Sequence, residues 1–262
     1  MLRNILRLNS LSCLIFGIIM VFFHEQTLEH LGTREYHTLV YVLGLVLLVN
    51  TFHLIMASFR KNLIKGEVLY FSIGDLGWVI LTFALILFSD VITTFYGLFS
   101  SISVALMVLI FSILQYSKAK KLPMDQISVS QALKTSKLKV WQKLSDFQNI
   151  HNIHPMVKDA IITNEQNSGI GAKRVCTFTD NSKVKEEVIG WQEGKLLEVE
   201  IKEINMPLDY LANKIEVFSD NITTTTVFRA KNIFAEILIG FFMRPLLIKR
   251  LNNVNKGFNT EK

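Results

Sequence analysis

Three side chains stand out because an apolar surround makes each of them costly: Asn50, His53 and Asp75. Asn50 and His53 are three apart, hence on one face of a helix, and Asp75 lies inside the next apolar run. If the two runs are antiparallel helices joined by a short connector, His53 and Asp75 reach similar depth. A pair between them would then neutralise a buried charge. Two chemistries fit these residues: a proton or ligand site inside a membrane, or hydrogen bonds between helices that fix their packing. Elsewhere reactive groups are sparse. His151 and His154 are three apart, but no carboxylate or third ligand joins them in a recognisable motif, so no metal is expected. The two cysteines, Cys13 and Cys176, fall one in each half, which excludes a disulfide framework. No nucleophile elbow, zinc-helix motif, phosphate loop or dinucleotide fingerprint occurs, and no cofactor is expected.

The elements that would position these groups change character at Ser117–Pro123, where long apolar runs give way to mixed, evenly charged sequence. The first half is read as a four-transmembrane-helix domain over residues 1–121, with spans near 8–23, 38–59, 68–88 and 91–116. Each of the last three is long enough for a bilayer core, which needs about 20 residues. No small-x-small cleavage site follows Phe23, so the first run is expected to be a retained helix rather than a signal peptide. Arg3 and Arg7, then Arg60, Lys61 and Lys65, then Lys118, Lys120 and Lys121 fall on one side of the membrane in this arrangement. The positive-inside rule then puts both termini in the cytoplasm, in a plasma or inner membrane. Gly74 and Gly77 beside Asp75, with Ser100, Ser101 and Ser103 in the fourth run, point to close helix approach. A transporter is unattractive, since the spans show no proline-broken helix and no obvious internal repeat.

Residues 122–262 read as a cytoplasmic soluble domain. The chain carries a net charge of +6, but residues 1–121 hold nine Lys/Arg against six Asp/Glu and the remainder nineteen against sixteen. With no basic stripe in the soluble half, nucleic acid is not an expected partner. Ile127, Val129 and Gln131 alternate as a first strand, and Ser136 caps a short helix that places Leu138, Trp141 and Leu144 on one face. Six further strands are predicted near 159–165, 172–179, 183–191, 195–204, 210–218 and 223–231, separated by turn chemistry such as Asn167-Ser168-Gly169 and Asp180-Asn181-Ser182. Hairpin-length links make them an antiparallel meander. A long helix from Phe234 to about Phe258 follows, with Phe234, Ile237, Leu238, Phe241, Ile248, Leu251 and Val254 at helical spacing, and Pro245 is expected to kink it.

Strand, small helices, six strands and a long terminal helix is an order that resembles the START-like, helix-grip superfamily of polyketide cyclases, dehydratases and lipid-transfer domains. The resemblance covers Ile127–Phe258 and rests on Val140-Trp-Gln-Lys-Leu-Ser-Asp-Phe147, Gly169-Ile-Gly-Ala-Lys-Arg174, Glu186-Glu-Val-Ile-Gly-Trp191 and Met243-Arg-Pro-Leu-Leu-Ile-Lys-Arg-Leu251 in that order. The four-helix half lies outside it. The fold class expected is therefore a membrane all-α domain followed by an α+β helix-grip domain, a curved antiparallel sheet around a long C-terminal helix.

The resemblance implies an apolar cavity between sheet and helix. Arg174 and one of Glu186 and Glu187 match positions where such proteins often carry an Arg and a Glu on neighbouring strands. There they would orient a polar head or do acid/base work, or else form a cross-strand ion pair at the rim or on the outer face. Which glutamate turns inward depends on register. Trp141, Trp191, Leu211, Ile215, Phe228 and Phe241 are the lining candidates, and a cavity wall and a filled core read alike in sequence.

The function implied is a membrane-anchored protein binding a lipid or other hydrophobic ligand, its partners being the bilayer and that ligand, with no protein partner indicated. The alternatives are a cyclase- or dehydratase-like enzyme acting on a membrane-soluble substrate, and a non-catalytic membrane interaction module. Ile239, Phe242 and Met243, near or beyond the core-facing stripe of the last helix, would meet the membrane with Arg244 at the headgroups.

Overall fold

The structure, a computed structural model, describes residues 1–152 and 154–259. The chain divides into two compact units, Met1–Pro123 and Met124–Lys262.

In the first unit the apolar runs become helices, which pair the backbone groups within each segment except at its ends: α1 (Leu2–Phe22), α3 (His37–Phe59), α4 (Lys65–Phe88) and α5 (Phe95–Ala119). All four are long and apolar enough to cross a membrane. At most 33 % of the most apolar stretch of each is buried, so most of their apolar surface faces outward, as in a bundle whose solvent is lipid. The first helix begins well before the expected span, and Arg3 there donates to the carbonyls of Arg60 and Lys61 at 2.8 and 2.7 Å, closing the end of α3. The connector 24–37 is not all loop. It holds the short helix α2 (His24–Leu31), ended by Gly32 at φ +93°. Residues 91–94 are not helical, because Thr94 caps α5 by accepting from the Gly97 amide at 2.9 Å.

α1 packs along α3 and α4 along α5, and α1 also meets α5. The close approach is not where the glycines flanking Asp75 pointed. An added Cβ at Gly74 or Gly77 would meet nothing within 4 Å, whereas one at Gly44 would sit 2.8 Å from the Met20 Cβ and one at Gly17 3.2 Å from the Gly44 carbonyl. The expected role of the serines shifts likewise. Ser103 bonds back to its own helix at Phe99, and Ser100 meets the His30 ring of α2 at 3.0 Å. Serines elsewhere join the long helices: Ser72 of α4 and Ser112 of α5 each donate to the other's carbonyl at 2.9 and 2.8 Å, and Ser10 of α1 donates to the Thr51 carbonyl of α3 at 3.2 Å.

The second unit is a seven-stranded antiparallel sheet with helices on one face. The strands are β1 (Asp125–Ala132), β2 (Val157–Ile162), β3 (Lys173–Phe178), β4 (Lys183–Gln192), β5 (Leu196–Lys202), β6 (Leu208–Val217) and β7 (Asn221–Ala230), in the order β1-β7-β6-β5-β4-β3-β2. Six consecutive strands form the meander, and β1 closes against β7. Between β1 and β2 runs α6 (Lys137–Ser145), capped by the Ser136 hydroxyl, which accepts from the Lys139 amide. Its buried face is Val140, Trp141 and Leu144, continued by Phe147. Leu138, expected on that face, is exposed, because the inward stripe starts two residues later.

The terminal helix is three pieces: α7 (Ile233–Ile237), a π-helical turn (Leu238–Phe242) and α8 (Arg244–Asn259). Pro245 has no N–H for the preceding turn, and the break falls just ahead of it. The wider π turn rotates the helix face relative to a plain 3.6-residue pattern. Phe234 and Leu238 are therefore exposed, while Ile239 is buried and Met243 packs beside it against Ile127, Leu208 and Phe228. Of the three residues expected to meet the membrane from this helix, Phe242 alone is turned outward. Further along, the buried Asn255 ties α8 to the sheet, its side chain accepting from the Thr224 hydroxyl of β7 and donating to the Val129 carbonyl of β1.

Candidate functional site

Register decides which glutamate enters the grip. Arg174 of β3 stands opposite Glu186 of β4, and Lys173 opposite Glu187. Side chains alternate across a strand, so Arg174 and Glu186 share the inner face. There the guanidinium donates to the Glu186 carboxylate from Nε at 2.6 Å and Nη2 at 2.5 Å, with side-chain exposures of 6 % and 11 %. The other arm of Arg174 donates to the Phe147 carbonyl, and the guanidinium lies over the Phe147 ring at 3.8 Å. The latch thus joins two strands to the segment that follows α6. Glu187 faces outward, where Lys202 bonds it at 2.9 Å and Lys173 lies at 3.8 Å. The Lys202 ammonium holds the Glu187 carboxyl below its usual range.

Two further groups flank the latch. Burial pushes the Cys176 thiol up to about 12, the Glu186 charge adding to the effect, and the thiol points its proton at Glu186 at 3.6 Å. Burial lowers His154, with the Glu186 charge opposing and Arg174 assisting. Its Nδ1 accepts from the Met156 amide at 3.3 Å, which puts the neutral ring's proton on Nε2.

A second polar contact links α6 to β4. Trp141 and Trp191 meet edge to face at 5.1 Å between centroids, and both indoles donate to Glu193, at 2.6 and 3.1 Å. Ile215 is buried with Trp141 in the apolar cluster that takes in Phe147, Val188, Val217, Ile222 and Phe258. Phe228 is buried in a separate cluster with Ile127, Leu208 and Ile239, against which the half-buried Leu211, Met206, Met243, Leu247 and Leu251 pack. Phe241 is half-buried against Phe242, at 4.9 Å between ring centroids. The nine grip candidates therefore separate into an inner latch, a Trp pair, two apolar clusters, an outward glutamate and a half-buried phenylalanine.

In the helical unit the structure does not join His53 to Asp75. His53 is turned to Glu67, with Nε2 3.0 Å from Oε1, and Arg60 pairs with the same fully buried carboxylate at 3.0 Å. The first turn of α4 places Glu67 within reach, as a span beginning at Val68 concealed. Asp75 instead accepts on Oδ2 from Asn9 of α1 at 2.8 Å and from Gln115 of α5 at 2.7 Å. Asn50 of α3 reaches the Cys13 sulfur at 3.6 Å, and Cys13 reaches Asn9 at 3.8 Å, so one polar chain links all four long helices.

The residues that the sequence reading missed are Phe147, Glu193, Asn255, Asn9, Gln115 and Glu67. For Asn9, Gln115 and Asn255 a signal existed, a polar side chain within an apolar helical pattern. Glu193 stands in the turn after β4, and its role depends on the Trp141 indole, 52 residues away in the chain.

The second unit accords with a family match. The chain belongs to the polyketide cyclase / dehydrase and lipid transport family, whose model matches residues 124–258. Among solved structures, it is similar to major latex-like protein 151 from Panax ginseng, at 13 % identity over 51 % of this chain and 94 % of that one, with a TM-score of 0.42. A truncated norcoclaurine synthase from Thalictrum flavum is 17 % identical over 53 % of this chain and 96 % of that one, with a TM-score of 0.41. A protein from Bacillus thuringiensis is 14 % identical over 51 % and 98 %, with a TM-score of 0.41. No curated protein matches the sequence.

Proposed function

We propose that this protein is a membrane-anchored binder of a lipid or other hydrophobic ligand, held by the helix-grip unit at the cytoplasmic face of the membrane its four long helices cross. The observation that carries this reading is the joining, in one chain, of a family unit described by lipid transport and four helices long and apolar enough to span a bilayer. The basic residues Lys118, Lys120 and Lys121 at the end of α5 support the cytoplasmic placement. Only the short segment 120–124 separates α5 from β1, which tethers the grip closely to the end of a helix long and apolar enough to cross a bilayer.

The interior supports an apolar guest. The inward Arg174 and Glu186 satisfy each other at the latch, so burial of apolar surface is the main source of affinity. The guest's place is beside Phe228, where Leu211, Met206, Met243, Leu247 and Leu251 are half-buried and the two thioethers repack at little cost. Binding of a dansyl-tagged long-chain fatty acid to the unit Met124–Lys262 tests this, with energy transfer from Trp141 and Trp191 as the signal. Saturable transfer is expected, weakened at least tenfold by Leu211→Arg. Absence of transfer, or transfer that Leu211→Arg leaves unchanged, contradicts the reading.

A further inference from the structure

The first unit contains a cavity of about 790 Å³ that the grip does not need. α3 and α4 follow each other in sequence, yet their backbones hardly approach, because α3 is packed on α1 and α4 on α5. The cleft between the two pairs is walled by apolar side chains and is within the size range of small-molecule sites, roughly 300–1,000 Å³. Its polar lining includes Asn9, Asn50, His53 and Asp75 of the long helices, with Gln26, Thr27, His30, Ser100 and Ser101 in a second group.

Asp75 is bonded on one side only. Both of its protein donors, Asn9 and Gln115, converge on Oδ2. Among the described residues no group bonds to Oδ1, yet that oxygen is not sealed in protein, and Asp75 lines the cleft. A carboxyl oxygen facing an apolar space inside a membrane demands a partner in either protonation state. If the group is ionised, Oδ1 needs a donor. If it is neutral, the two amide donors occupy Oδ2, the proton resides on Oδ1, and it needs an acceptor. A hydroxyl satisfies both cases. An ammonium satisfies only the first, and a carbonyl only the second.

We propose that the cleft between α3 and α4 binds a membrane-dissolved amphiphile with a hydroxyl head, which hydrogen-bonds to Oδ1 of Asp75 while its apolar body lies between Tyr70, Trp78, Val46 and Val49. This rests on the reading above only in setting the helices in a bilayer. Gly74, one residue from Asp75, lines the same cleft, and a Cβ there meets nothing within 4 Å. The missing side chain is therefore space for the ligand rather than for a neighbouring helix.

The test uses the full chain in phosphatidylcholine nanodiscs and two probes, hexadecanol carrying a mid-chain diazirine and a terminal alkyne, and the same chain with a methyl group in place of the hydroxyl. The alcohol is expected to label peptides covering residues 42–53 and 70–82, saturably and in competition with plain hexadecanol. Gly74→Leu puts bulk into the cleft from a Cβ that meets nothing within 4 Å, and is expected to lower that labelling at least tenfold. Gly77→Leu adds the same bulk to the same helix outside the cleft and leaves labelling unchanged. Equal labelling by the two probes, or an unaffected Gly74→Leu, overturns the proposal and makes the cleft ordinary acyl-chain space. A chain that fails to enter nanodiscs overturns the membrane reading itself, which is a separate and distinguishable result.

Discussion

Glu186→Ala isolates the Arg174–Glu186 latch most cleanly. The carboxylate is a main anchor, with the Phe147 carbonyl, of a guanidinium whose side chain is 6 % exposed. Removing one partner of a buried pair costs about 3–5 kcal/mol, since the remaining charge is left desolvated. Arg174 keeps the Phe147 carbonyl and the ring beneath it, so the expected loss is at the lower end, about 3 kcal/mol. For a domain of this size that lowers the thermal midpoint by ~10 °C, and at a urea dependence of ~1.5 kcal/mol/M it shifts the urea midpoint by ~2 M. The assay is urea unfolding of Met124–Lys262, a unit with its own sheet and apolar clusters. Two controls fix the cause. Glu187→Ala, on the outer face, is expected to leave the midpoint where it is. Arg174→Met combined with Glu186→Leu is expected to recover most of the loss, because an apolar pair removes both charges at once. A Glu186→Ala protein within 1 kcal/mol of the wild type, or a double variant no better than the single one, refutes a buried, closed latch.

Two other predictions concern the groups beside the latch. His154 holds a proton less readily when folded than its ordinary value of 6.5. The unfolded chain therefore binds more protons below that pH, and stability is full above it and lost as pH falls through it. Urea midpoints between pH 8 and pH 5.5 should decline toward the acid end, and His154→Gln should flatten the slope; a slope that survives the substitution assigns it elsewhere. Cys176 is fully buried, with its thiol pushed up to about 12. Mass spectrometry should find it unmodified after iodoacetamide at pH 8 in native buffer and modified in urea, whereas similar rates in both would mean that the latch region opens freely.

The grip unit was legible because its signals are local. Alternation in β1, turn residues between the strands and the Ser136 cap each act over a few residues, and together they fix the strand order. The inward glutamate was not legible, since a one-residue change of register reverses the faces, and the Arg174–Glu186 pairing is a property of the ladder. The stripe on the last helix was misplaced for a related reason. A single π turn at 238–242 changes the phase, so Ile239 turns inward and Phe234 outward. In the helical unit, span lengths follow from hydropathy, but partners across helices do not. Gly74 resembles a packing glycine in sequence, and only the separation of α3 from α4 shows that it borders open space. Glu67 resembled a connector residue until the helix was seen to start at Lys65.

The central claim is that the grip unit carries a hydrophobic guest. Extraction of purified Met124–Lys262 into organic solvent, followed by mass spectrometry and quantified against protein, tests it most directly. The account predicts close to one molecule of a defined lipid or lipophile per domain, lost in Leu211→Arg while that variant still unfolds cooperatively. A domain that is consistently empty, or that carries only the lipid mixture of its surroundings in unfixed proportion, contradicts it.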